Sequence, residues 1–165
     1  MRKFLLLGLL FSSFACSPPA EINQALHQNM SLKRQEMLQE HQIYQLDYDS
    51  LGLEFKNWNQ RLKKKFPDQN PIIEEHQKSL EAYSEIFKKH QNQLTEFQDA
   101  LEVFTKILER HALGKTDDQE LQTAHKRLNR HFEDLKNKHL NLLENHQTLK
   151  DAYESLIGEY QEKKK

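Results

Sequence analysis

At 165 residues, with 36% hydrophobic and 30% charged side chains, the chain has the make-up of a somewhat polar soluble protein with one modest core. Val103 is its only valine and glycine and proline number four each, while Glu, Lys, Gln and Leu abound, so a sheet protein is excluded and an all-α fold expected. The formal charge of -1 becomes about -3 once Arg2 and Lys3 are removed with residues 1–15, which argues against nucleic acid as a partner.

Met1-Arg2-Lys3 is a short basic start, and Phe4 to Phe11 is an apolar run too short to stay in a bilayer as a spanning helix. Residues 1–15 therefore read as a signal peptide. The segment Ser13-Phe14-Ala15-Cys16 places a small residue directly before the only cysteine and resembles the lipobox of bacterial lipoproteins, departing from it in Ser13 and the bulky Phe14. The resemblance implies acylation of Cys16, with palmitate among the chains attached, and residues 16–20 as a short lipid-anchored tether. Ordinary secretory cleavage after Ala15, releasing a soluble chain with a free thiol, stays open as the alternative. A solitary exported cysteine has no internal disulfide partner, which favours a use such as lipidation. Ser17 is not the aspartate that marks inner-membrane retention, so the resemblance implies a cell-envelope address at the outer membrane, facing the periplasm.

From residue 21 to 165 the pattern is helical, with breaks at Phe66–Pro71 and Leu113–Asp118. The expected helices span about residues 20–65, 71–112 and 117–162. Asn70 before Pro71 suits an N-cap and first-turn proline, Gly114 a left-handed helix end, and Thr116 or Asp117 the cap of the third helix. Asp49-Ser50-Leu51-Gly52 predicts a bend inside the first. Short connections predict an elongated antiparallel three-helix bundle, or coiled coil, of up-down-up topology.

Leu121, Leu128, Leu135, Leu142, Leu149 and Leu156 recur at strict heptads, a d-type stripe. The companion stripe holds His125, Phe132, His139, His146, Tyr153 and Tyr160; the second helix continues it with His76, Tyr83, His90, Phe97, Phe104 and His111, and the first with His27, Arg34, His41, Tyr48, Phe55 and Leu62. Eight of the nine histidines share this phase, His131 being the exception. A register kept across two loops reads as a trace of internal repetition.

The plainest role for these histidines is packing, with ring nitrogens reaching polar neighbours in the seam. The sharper alternative is a metal site. No two histidines stand three or four apart, so such a site would have to form between helices, and folding about residue 114 brings His90 level with His139, while folding about residue 69 brings Tyr48 near His90. No cofactor is expected on these grounds. Acid is expected to loosen the bundle by charging half-buried imidazoles.

Nothing resembles a phosphate loop or nucleophile elbow, so neither an enzyme nor a small-molecule substrate is expected. The expected function is a membrane-anchored structural, spacer or protein-interaction module of the envelope; the alternative is a periplasmic chaperone-like or histidine-rich metal-binding lipoprotein. A protein partner, or self-association through helical faces, would use a face of the first helix with Ile43, Leu46, Leu53 and Trp58 left uncovered. Lys163 to Lys165 read as a solvated helix end, and also resemble the terminus of Braun-type lipoproteins, whose final lysine joins peptidoglycan.

Overall fold

The computed structural model describes residues 23–65 and 71–162 and consists of three helices: α1 Gln24–Lys65, α2 Pro71–Ala112 and α3 Asp118–Glu162. The expected signal peptide, Cys16, the expected tether, Asn70 and Lys163 to Lys165 lie outside the described residues.

Three helix ends have a local cause: the start of α1, the end of α2 and the start of α3. The Asn23 carboxamide oxygen accepts the Leu26 N–H at 3.0 Å, capping α1 from a position that the sequence reading overlooked. Of the two candidate caps for α3, Asp117 does the work, accepting the Glu120 N–H at 2.7 Å. Thr116 is instead buried, with its hydroxyl unpartnered. Gly114, at φ 65°, ends α2: its N–H reaches the His111 carbonyl at 2.9 Å and the Lys115 N–H reaches Arg110, also at 2.9 Å. This pair of bonds is the Schellman arrangement, which needs a left-handed residue where glycine stands.

α2 packs against both α1 and α3, the α2–α3 pair being the more extensive, so the chain is an all-α three-helix bundle. At 45 residues, α3 runs about 65 Å, and all three helices share that long axis. The core is the leucine stripe of α3 set against aromatic and histidine side chains: Leu121, Leu128, Leu135 and Leu142 are at most 1% exposed. Burying each contributes roughly 2 kcal/mol.

α1 contributes Met30, Met37, Tyr48, Trp58 and Leu62 to this core and continues unbroken through Asp49–Gly52. At Gly52 α1 comes close to α2, since a Cβ there would stand 2.9 Å from the Phe87 ring tip. Trp58 departs from expectation. Rather than lying on an open face it is buried, stacked on His146 at 4.7 Å and Tyr153 at 5.6 Å between ring centroids, because it shares the heptad phase of Met30 and Met37 rather than that of Leu46. Ile43, Leu46 and Leu53 are exposed, as is Leu32.

Candidate functional site

The histidine phase read from the sequence becomes a ladder of side-chain layers along the bundle. One heptad forward on α3 is matched by one heptad back on α2, giving facing pairs His111 with Asp118, Phe104 with His125, Phe97 with Phe132, His90 with His139, Tyr83 with His146, and His76 with Tyr153. α1 completes the layers with His27 on His111, His41 on Phe97, Tyr48 near His90 and Phe55 near Tyr83. Every α2–α3 pair but Phe97 with Phe132 contains a histidine, and that layer receives His41 from α1. Seven of the nine histidines are buried. His27 is half-buried, and the out-of-phase His131 is exposed.

Three of these layers share a chemical order that the sequence reading did not find. His139 Nε2 lies 3.1 Å from Asp47, and its Nδ1 lies 3.3 Å from His90 Nε2. His146 Nε2 lies 3.1 Å from Glu54, and its Nδ1 lies 2.8 Å from the Tyr83 hydroxyl. His111 Nε2 lies 2.9 Å from Asp118, and its Nδ1 lies 3.3 Å from His27 Nδ1. A carboxylate only accepts, so each central imidazole carries a proton on Nε2; in the neutral ring Nδ1 is then an acceptor, into which His90 N–H, Tyr83 O–H or His27 N–H donates. The tautomers follow from the partners. They also explain His90, whose Nδ1 is buried without a partner: it is a bare lone pair rather than a stranded N–H.

The carboxylates of Asp47, Glu54 and Asp118 are 46, 49 and 42% exposed, so each layer runs from a dry imidazole to a wet acid. Asp47 and Glu54 stand seven residues apart on α1, as do His139 and His146 on α3, which makes the second layer a translated copy of the first. The visible sequence signal was an acid placed directly before an aromatic stripe residue twice in succession, at Asp47-Tyr48 and Glu54-Phe55.

Burial sets the protonation of the ladder. It lowers the affinity of His90 for a proton to a pKa of about 4, helped by repulsion from His139. Burial likewise lowers His41, against the opposing bond from Nε2 to the Leu94 carbonyl at 3.2 Å, and lowers His76, His125 and His139, the last opposed by Asp47. The Tyr83 hydroxyl is raised by burial and by Glu54, keeping it a donor. These histidines are therefore neutral at pH 7; His41, His90 and His139 hydrogen-bond within the core, whereas His76 and His125 each bury an Nε2 without a partner.

The expected neighbours His90 and His139 do meet, and Tyr48 stands 6.0 Å from His90 between ring centroids. Among the described residues, no group of three or more His, Cys, Asp or Glu side chains is arranged to hold a metal ion. Nor is any described helix long and apolar enough to cross a membrane. Cys16, the expected lipidation residue, lies outside the described part. No protein-family model matches the chain, and comparison with curated proteins and with solved structures returns no match.

Proposed function

We propose that this chain is a lipid-anchored envelope protein, held to the outer membrane through acylated Cys16, whose helical rod works as a spacer and protein-interaction module without catalysing a reaction. The observation that carries the reading is the joining of a basic-then-apolar N-terminal segment and its single cysteine to a rod about 65 Å long in which three buried imidazoles are each paired with a carboxylate. Imidazoles engaged with Asp47, Glu54, Asp118, Tyr83 and each other are committed to holding three helices in register. Buried polar networks of this kind give up some stability for a unique alignment, which suits a part that must keep its length and present fixed faces. Multiple acyl chains, at about 0.8 kcal/mol per buried CH₂, supply an anchor that one chain alone would not.

The outward side of α1 supports the interaction role, since Leu32, Ile43, Leu46 and Leu53 are 54 to 68% exposed there. The test is photo-crosslinking in cells, with the reactive residue placed singly at Leu46 and, for comparison, at the exposed polar Glu144. An interaction module yields a discrete heavier species from position 46 and none from 144. Equal, diffuse labelling at both positions contradicts it.

A further inference from the structure

The proposed reading leaves the partner unspecified, and the charge pattern of α1 specifies its chemistry. Between Arg34 and Lys56 the helix carries five carboxylates, Glu36, Glu40, Asp47, Asp49 and Glu54, and no lysine or arginine. Lys33 and Arg34 stand before this block, and Lys56, Arg61, Lys63, Lys64 and Lys65 follow it with no acid among them. Of the exposed apolar residues, Ile43, Leu46 and Leu53 lie within this block and Leu32 one residue before its basic edge. At 100° per residue, Leu32, Ile43, Leu46 and Leu53 fall within an arc of about 80°, a stripe about 30 Å long. Among the described residues, none of the five carboxylates is ion-paired to a lysine or arginine: Asp47 and Glu54 face imidazoles, and Glu40 accepts from the Tyr44 hydroxyl. The face is thus an apolar stripe in an acidic field, with Lys33 beside its first leucine, Arg34 turned inward onto Thr105, and a basic run from Lys56 after its last leucine.

We infer that this face docks a cationic amphipathic helix from another protein, about three heptads long, with its apolar side on Leu46 and its neighbours and its lysines or arginines toward the α1 carboxylates. The flanking basic blocks limit the length, because a longer cationic segment would meet like charge at either end. A second copy fits less well, and this point rests on the anchored reading above. Rods anchored in one membrane stand parallel, which sets acid block against acid block, whereas an antiparallel pair would hold its two anchors at opposite ends of a rod about 65 Å long. An anionic lipid surface is repelled by the same field.

The inference is tested by fluorescence anisotropy with a labelled synthetic peptide of about three heptads, leucine at the a and d positions and lysine elsewhere, titrated with the full chain at physiological salt. Saturable binding is expected, with none for the counterpart carrying glutamate in place of lysine. Binding should weaken about tenfold or more in the Leu46→Gln/Leu53→Gln variant and again in Glu36→Lys/Asp49→Lys. All four positions are exposed, so helicity and melting should stay those of the parent. Absence of binding, binding that ignores both variants, or a sedimenting dimer that the same variants convert to monomer overturns the inference, the last by assigning the face to a second copy. The assay is indifferent to acylation: an unacylated chain that binds refutes the anchor alone, and an acylated chain that does not bind refutes the face alone.

Discussion

Asp47 on α1 accepts a hydrogen bond from His139 on α3 at 3.1 Å, locking two parallel helices that share no turn. Truncation by Asp47→Ala strands a buried imidazole N–H, but water reaches the half-exposed acid position, so the expected loss is about 1 kcal/mol. Asp47→Asn keeps an acceptor and should stay within about 0.5 kcal/mol of the parent. Urea denaturation measures both. Glu54→Ala should add its own loss independently, because the two layers are about 10 Å apart along the axis.

The Tyr83 hydroxyl is the donor of the neighbouring layer. Tyr83→Phe retains the ring against Phe55 and Phe87 and removes only the O–H directed at His146 Nδ1. A buried lone pair is left without a partner, and the expected loss is about 1 to 2 kcal/mol. An unchanged urea midpoint would show that the hydroxyl is not engaged.

Acid should weaken the rod. For a histidine whose folded pKa lies below its unfolded value of about 6.5, the unfolded chain binds more protons, so stability is complete above that value and falls as pH drops toward the folded pKa. His41, His76, His90, His125 and His139 all have this sign. His90, at about 4, spans the widest window; it is faced by His139 of α3, itself backed by Asp47, and by Tyr48 of α1. Its share of the loss between pH 7 and 4 is roughly 3 kcal/mol. His90→Gln, which keeps an N–H donor toward His139 and cannot titrate, should flatten the dependence of the urea midpoint on pH across that window.

Two glycines within helices should respond in opposite directions to alanine. At Gly158 an added methyl meets nothing within 4 Å, so Gly158→Ala should stabilise by up to about 1 kcal/mol through helix propensity. At Gly52 it would stand 2.9 Å from Phe87, whose ring is stacked on Tyr48 with centroids 4.0 Å apart. The steric cost of about 1 to 3 kcal/mol exceeds the propensity gain, and Gly52→Ala should lower the melting temperature.

The fold and the axis of the ladder were legible because both depend on heptad phase, which a sequence displays directly. The second and third helices were expected at 71–112 and about 117–162, and the structure has Pro71–Ala112 and Asp118–Glu162. Counting residues about the two turns also brought His90 to His139 and Tyr48 to His90, since antiparallel helices of equal rise keep their register. The acids at the ends of the layers were not seen. Asp47 and Glu54 reach α3 only because α1 is rotated so that the residue preceding the stripe faces the α1–α3 seam, and phase does not fix that rotation. Trp58 was misplaced by the same ambiguity, its large apolar ring fitting either face until His146 and Tyr153 are seen to cover it.

The central claim, a rod tethered through its single cysteine, is tested most directly by labelling cells with radioactive palmitate and taking the intact mass of the membrane-bound chain, for wild type and for Cys16→Ala. The account predicts a chain beginning at Cys16, labelled and heavier by the mass of its acyl groups, with both the label and the membrane association abolished in the variant. An unmodified soluble chain with a free thiol at Cys16 would contradict it.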